Sequence, residues 1–119
     1  MLVQSKTIDH TFGSPNVLVP AKHLSARENI WRDDTLQPVT YYHILFDGHE
    51  IIQANGALSE SLFTGPEARK TIPNAVWQEL VTLFPALANQ SVARQIANRQ
   101  KTANLLMRLK KNNRDLFLT

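Results

Sequence analysis

Cysteine is absent from the 119-residue chain. Its absence excludes disulfides, thiolate nucleophiles and every zinc or iron–sulfur site that is built on cysteine. Glycine is scarce, and its four residues stand singly, so no glycine-rich phosphate loop exists. No stretch approaches the roughly 18 to 20 apolar residues of a membrane-spanning helix. The first residues also lack the pattern of a signal peptide, so we expect a cytoplasmic protein with no membrane span.

What the chain does contain is enough apolar material for a core. Hydrophobic residues make up 43% of it, and its length suits one ordinary domain. Its net charge of +3 is unevenly distributed, because residues 89–119 hold seven of the thirteen lysines and arginines and a single acid, Asp115. The positive charge therefore belongs to the C-terminal part of the chain.

The strongest local pattern is a predicted hairpin at Asp47-Gly48. Residues 39–46 and 49–54 are rich in β-branched and aromatic side chains, which is typical of strands. The Asp-Gly pair between them suits a type I′ turn, whose two central residues need positive φ. Asn55-Gly56 is a second turn signal, after which residues 57–63 can return as a short strand.

Helices of more than one turn are predicted only towards the C-terminus. Apolar spacing predicts a short helix from Ala75 to Phe84, and a basic amphipathic helix over residues 89–111. Residues 1–12 are predicted to be extended, and residues 17–19 to form a short strand. The sequence therefore predicts a mainly β fold with one short and one longer C-terminal α-helix.

Metal and serine chemistry find little support in the sequence. The four histidines, which include His10 and His49, do not have the spacing of a helical metal pair, so we expect no metal and no cofactor. Ser59 and Ser61 flank Glu60, and a hydrolase that uses one of them is a weaker hypothesis. A serine nucleophile needs a base and an oxyanion hole, and no nucleophile-elbow pattern surrounds either serine.

The basic C-terminal helix is a candidate anion-binding element. A cationic helix can bind a phosphate backbone, yet no aromatic residue stands among its cations before Phe117. The plainer interpretation is a solvated face on a docking helix. The candidate anion-binding residues are Arg94, Arg99, Lys101, Arg108, Lys110 and Lys111.

Two segments carry a resemblance to a known family. Residues 17–24 read Val-Leu-Val-Pro-Ala-Lys-His-Leu, and residues 42–50 read Tyr-His-Ile-Leu-Phe-Asp-Gly-His-Glu. Together they resemble the Hint (hedgehog/intein) domain in a bacterial, non-splicing form, and the likeness extends over roughly residues 1–87. It implies a compact all-β fold that cleaves its own polypeptide. In such domains a cysteine or serine at the start attacks the preceding carbonyl, and a histidine in a Thr/Ser-x-x-His motif assists.

The chain departs from that family pattern in its site residues. The nucleophile is absent, and the resemblance places the motif histidine upstream of Met1. Thr7-Ile8-Asp9-His10 has the motif's form at the wrong offset, which makes His10 a second candidate. Glu60-Ser61 stands where inteins have His-Asn, so asparagine cyclisation is excluded. The resemblance leaves His49 as the candidate acid/base residue, with a turn-flanking role as its alternative, and Asp47, Gly48 and Gly56 as turn formers.

The resemblance thus implies the C-terminal part of a Hint-type autoprocessing domain that lacks its nucleophile and is inactive alone. Residues 1–66 would form the partial β domain, residues 67–87 a short helix packed on it, and residues 88–119 the basic helix and tail. We expect binding to an N-terminal half of a Hint domain, or self-association through exposed strand edges. The alternative is a small binding module whose basic helix contacts nucleic acid or an acidic protein.

Overall fold

The computed structural model describes residues 1–35 and 37–112, and within them helix exceeds strand. The prediction of a mainly β fold is therefore wrong for this part of the chain. The α-helices are α1 to α4, the strands are β1 to β4, and two 3₁₀ helices complete the set. Their order is β1 (Leu2–Gln4), α1 (Lys6–Phe12), β2 (Asn16–Leu18), a 3₁₀ helix (Ala21–Ala26), β3 (Ile51–Ala54), β4 (Ala57–Glu60), α2 (Pro66–Thr71), α3 (Asn74–Leu83), a second 3₁₀ helix (Pro85–Asn89) and α4 (Arg99–Lys111).

The N-terminal strands β1 and β2 form an antiparallel pair with α1 between them in the chain. Leu2 lies opposite Leu18 in this pair. The extended structure predicted for residues 1–12 is wrong over α1, because local capping favours a helix there. The Ser5 hydroxyl accepts a hydrogen bond from the Ile8 N–H at 3.3 Å, and Gly13 ends the helix with a φ of 68°.

The structure confirms the predicted turn at Asn55-Gly56, whereas the predicted hairpin at Asp47-Gly48 is wrong. Strands β3 and β4 pair antiparallel around Asn55 and Gly56, whose φ values of 51° and 77° are those of a type I′ turn. Gly48 has no positive φ, and residues 39–46 form no strand. The Ile44 carbonyl instead accepts a hydrogen bond from the Leu62 N–H at 2.8 Å, so this segment contacts the chain beyond β4 rather than pairing with β3.

The basic helix α4 begins ten residues later than predicted. The segment before it runs beside β2, where the Leu18 N–H donates to the Gln95 carbonyl and the Ala97 N–H donates to the Leu18 carbonyl, both at 2.8 Å. The Asn98 side chain then caps the helix by accepting from the Lys101 N–H at 2.8 Å. Because a backbone that pairs with a strand is extended, the helix begins only after this segment.

The main core joins the two ends of the described chain. Side chains from the first 24 residues pack against the apolar face of α4, so the basic helix is part of the folded body. The buried residues of this core are Val3, Ile8, Val17, Val19, Leu24, Ala97, Leu105, Leu106 and Leu109.

Two short helices follow the β3–β4 hairpin. The prediction of a helix over residues 75–84 is confirmed by α3. Helix α2 was not predicted, although Pro66 at its first position, Glu67 in its first turn and Lys70 in its last turn are typical helix signals. None of the helices in the described residues is long and apolar enough to cross a membrane.

Candidate functional site

The imidazole of His49 and the carboxylate of Glu60 form the most tightly bonded polar pair of the hairpin. His49 precedes β3 and its side chain has no exposed surface, whereas Glu60 ends β4 and its side chain is 40% exposed. The His49 Nε2 and Glu60 Oε2 atoms lie 2.7 Å apart. A buried ring is thus fixed to a carboxylate that remains open to solvent.

The second ring nitrogen of His49 is also bonded. Nδ1 lies 2.8 Å from the backbone nitrogen of Ala93, whose N–H can only donate. Nδ1 therefore acts as the acceptor and carries no proton, which assigns the ring proton to Nε2 and directs it at Glu60. The geometry corresponds to a neutral imidazole that donates to a carboxylate.

The surroundings of His49 restrict the movement of its ring. The Phe63 ring lies 5.0 Å from it, centroid to centroid, at an angle of 41°. The β3–β4 pairing is extended by two further bonds, because the Ser61 N–H donates to the Glu50 carbonyl at 2.8 Å and the Glu50 N–H donates to the Ser61 Oγ at 2.9 Å. Ser61 is buried, and its hydroxyl oxygen is held by this backbone contact.

The negative charge of Glu60 also influences the pKa of the Met1 amino group. That group donates a hydrogen bond to the Val19 carbonyl at 2.9 Å, which continues the pairing of β1 with β2. Burial lowers the pKa of the Met1 amino group, and the negative charge of Glu60 opposes that shift. The start of β1 and the His49–Glu60 pair therefore belong to one electrostatic environment.

The other residues predicted for a catalytic or turn role lie elsewhere. His10 is exposed in the last turn of α1, and no contact between described residues joins it to His49. Asp47 and Gly48 form a bend, where the Asp47 carbonyl accepts from the Gln90 side chain at 3.3 Å. Gly56 lies in the hairpin turn. Groups of three or more potential metal ligands do not occur in the described part of the chain.

The predicted anion-binding cations of α4 are largely engaged within the protein. Arg108 donates to the Thr11 hydroxyl at 2.9 Å, and Lys110 lies 3.2 Å from the Glu28 carboxylate. The Lys101 ammonium lies 5.7 Å from the centre of the Phe12 ring. Arg94, which precedes the helix, donates to the Ala93 carbonyl at 2.7 Å. Arg99 and Lys111 are exposed.

Two partners of His49 were missed by the sequence reasoning. The predicted turn at Asn55-Gly56 sets His49 diagonally across from Glu60 on one face of the hairpin, so a signal for that contact existed. Ala93 gave no such signal, because it contributes only a backbone N–H.

A family model described as the Hint domain matches residues 1–66, which is more than half of the chain. The match includes β1 to β4 and both members of the His49–Glu60 pair, while Ala93 and α4 lie beyond it. No curated protein and no solved structure matches the chain.

Proposed function

Because the chain belongs to the Hint domain family, we propose that it takes part in Hint-type self-cleavage by supplying a proton-transfer pair, His49 and Glu60. The proposal assigns the nucleophile to polypeptide outside these 119 residues. The observation that carries it is the 2.7 Å contact between the buried imidazole and the half-exposed carboxylate. The proposal also takes the chain to be the C-terminal part of a Hint domain of the bacterial, non-splicing type.

The chemistry of the family explains why such a pair is needed. A hydroxyl or thiol attacks the carbonyl carbon of the preceding peptide bond, and the C–N bond breaks as an ester or thioester forms. The proton that leaves the nucleophile ends on the amino nitrogen that is released, so no other reactant is consumed. A carboxylate that is fixed beside the reacting atoms can accept this proton and return it.

Glu60 is the member of the pair that can reach a substrate. One of its oxygens, Oε2, receives the Nε2–H of His49, and its side chain is open to solvent. His49 cannot take up a second proton while its Nδ1 accepts from Ala93. We therefore assign proton transfer to Glu60 and positioning to His49, and a direct acid role of the His49 Nε2–H is the rival assignment.

The nucleophile has no candidate beside this pair among the described residues. Cysteine is absent, and the Ser61 hydroxyl accepts a backbone hydrogen bond inside the hairpin. The charge of Glu60 influences the pKa of the Met1 amino group. A polypeptide that precedes Met1 would therefore approach the His49–Glu60 pair at this point. By this proposal the chain alone is inactive and becomes active with a partner segment that brings a cysteine or serine.

The test is to express the chain in frame with the coding sequence immediately upstream of Met1 and to follow cleavage by mass spectrometry. Hydroxylamine, which breaks esters and thioesters, should increase the cleaved fraction. Glu60→Gln preserves the contact with His49 but cannot carry the proton, so we expect cleavage to slow by about 10²- to 10³-fold. Glu50→Gln, an exposed neighbour, is the matched control and should cleave at the normal rate.

Three outcomes would contradict the proposal. The first is an absence of cleavage of the joined polypeptide, with or without hydroxylamine. The second is a Glu60→Gln variant that cleaves as fast as the unchanged protein. Efficient cleavage by the 119-residue chain alone would place the nucleophile inside it. A variant that replaces His49 by Gln separates the two assignments, because a positioning role predicts a smaller loss than that of Glu60→Gln.

A further inference from the structure

The side chain of Gln90 joins the two chain segments that enter and leave the β3–β4 hairpin. Its Nε2 donates to the carbonyls of Phe46 and Asp47, at 3.0 and 3.3 Å. Its Oε1 accepts from the Thr64 N–H at 2.9 Å. Only the nitrogen of an amide donates and only its oxygen accepts, so these backbone partners fix the orientation of the amide group. Gln90 therefore uses both ends of its amide to bond two segments that are distant in the sequence.

Both of these segments lie next to the candidate site. Asp47 precedes His49 by two residues. Thr64 directly follows Phe63, whose ring centre lies 5.0 Å from that of the His49 imidazole. A displacement of either segment would therefore move the His49 ring or the ring that packs against it.

The chain around Gln90 reaches the site at two further points. Thr64 is buried, and its hydroxyl donates to the Leu87 carbonyl at 2.8 Å. The Ala93 N–H, three residues beyond Gln90, donates to the His49 Nδ1 at 2.8 Å. Because Gln90 lies between these two contacts, its side chain limits how far the Ala93 backbone can move away from His49.

We propose that Gln90 is a positioning residue for the His49–Glu60 pair. It bonds the segments on either side of the hairpin and thereby holds the Ala93 N–H against the His49 Nδ1. That contact keeps the ring proton on Nε2, where it faces Glu60. The tautomer of a neutral histidine is set by the hydrogen bond at its other ring nitrogen, so loss of the Ala93 contact would release the proton to either nitrogen. The inference rests on the proposed function, since the pair needs this tautomer only if it transfers protons.

The residue type and the exposure of its bonds support a role in orientation. Glutamine both donates and accepts, whereas a glutamate would turn a carboxylate oxygen towards the carbonyls of Phe46 and Asp47. The two bonds from the Gln90 Nε2 are open to solvent, and water replaces such bonds at modest cost. Loss of the amide should therefore disturb the geometry of the site more than the stability of the fold.

The test replaces Gln90 by Met and, separately, by Glu. Met is of similar length but has no N–H to donate, and Glu keeps only the acceptor for Thr64. Long-range ¹H–¹⁵N NMR spectra of the 119-residue chain report the tautomer of His49 and require no cleavage. In both variants the ¹⁵N shifts of the two ring nitrogens should move towards each other, because the form with its proton on Nδ1 becomes populated.

Cleavage of the polypeptide joined to its upstream sequence is the second measurement. Gln90→Met and Gln90→Glu should each slow it by about tenfold to 100-fold, the loss expected when a reacting group is misplaced by about 1 Å.

Two controls separate positioning from stability. Gln53→Met makes the same change at an exposed residue of β3, and should leave both the spectra and the cleavage rate unchanged. Leu109→Ala destabilises the main core without removing a contact of His49, and should leave the tautomer of the folded protein unchanged.

An unchanged His49 spectrum in both Gln90 variants overturns the proposal. So does a cleaving protein in which neither variant is slower than Gln53→Met. Loss of the native circular dichroism spectrum in both variants overturns it as well, because Gln90 would then support the whole fold rather than the site. A joined polypeptide that does not cleave contradicts the proposed function, whereas a changed tautomer in the variants would still support positioning of His49 by Gln90.

Discussion

The Nδ1 atom of His49 accepts a hydrogen bond from the backbone N–H of Ala93, 44 residues further along the chain. This contact ties the candidate site to the segment that runs beside β2 and leads into α4. The matched family region ends at residue 66, so the position of the His49 ring depends on a part of the chain outside that region. The site and the C-terminal part are therefore expected to lose their structure together.

Replacing His49 by Ala should destabilise the protein by about 2–4 kcal/mol. The change removes two hydrogen bonds, leaves the Ala93 N–H without its acceptor, and opens a cavity beside Phe63. Urea denaturation gives the free energy of unfolding. His43→Ala, at an exposed histidine, is the control and should stay within about 0.5 kcal/mol. Equal effects of the two substitutions would contradict the described contacts.

The tautomer of His49 can be observed directly. Long-range ¹H–¹⁵N NMR spectra should show a neutral ring with its proton on Nε2, because Nδ1 accepts from Ala93. The exposed His43 serves as the internal reference. A proton on Nδ1 at neutral pH would mean that the Ala93 contact does not form in solution.

Two glycine substitutions distinguish the hairpin at Asn55-Gly56 from the one that was also predicted at Asp47-Gly48. Gly56→Ala forces a side chain into a left-handed backbone conformation with a φ of 77°, and should cost about 1–2 kcal/mol. Gly48→Ala meets only the end of the Glu50 side chain at 3.4 Å, so its free energy of unfolding should change little. Thermal or urea unfolding measures both. The reverse order of effects would favour the turn at Asp47-Gly48.

The role of α4 in the core can be tested with a pair of apolar residues on its two faces. Leu109→Ala removes a fully buried side chain and should cost about 2–5 kcal/mol. Met107→Ala, at a residue that is 70% exposed, should change the free energy of unfolding by less than about 0.5 kcal/mol. If Leu109→Ala were also neutral, the helix would not be packed on the N-terminal strands.

The amino group of Met1 should make stability depend on pH. Its pKa in the folded chain is lowered by burial, while the unfolded amine titrates near 8.0. Between these two values the unfolded state binds more protons, so the free energy of unfolding rises with pH across that window. Urea unfolding at several pH values measures the slope.

Acetylation of Met1 provides the control for this pH dependence. The acetylated chain keeps an N–H for the Val19 carbonyl but cannot titrate there, so this part of the slope should disappear. Identical pH profiles of the free and acetylated chains would show that the amine is not buried. Glu60→Gln removes a charge that raises the pKa of Met1, and should therefore make the slope steeper.

Local signals in the sequence were sufficient for some elements. The apolar spacing between two prolines predicted α3. Ser5 and Gly13 are the N-cap and C-cap of α1, and both are typical capping residues. The strand predicted over residues 39–46 is wrong, because residues with high strand propensity form a strand only when another strand is present to pair with them. Asp47-Gly48 and Asn55-Gly56 are equivalent turn signals, and both were predicted as turns between strands, but only the second joins two paired strands in the structure.

The candidate site could be predicted only in part. The family resemblance led to His49, and the register of the hairpin at the predicted Asn55-Gly56 turn would have added Glu60. Ala93 contributes only a backbone N–H. Because this group does not depend on the side chain, the residue type gives no indication of the contact. The core between the N-terminal strands and α4 is likewise a long-range contact that helical periodicity cannot place. Periodicity identifies an apolar face and does not name the surface that covers it.

The main core has a consequence for the order in which the protein can fold during synthesis. Val3, Ile8 and Leu24 leave the ribosome early, but the side chains that cover them include Leu105 and Leu109. Until α4 has emerged, these early residues have only each other to pack against, and their apolar surface remains open to chaperones or to neighbouring chains. Strands β1 and β2 are therefore covered only by a much later part of the chain, and a nascent chain that stalls after the β3–β4 hairpin leaves their apolar side chains half-covered.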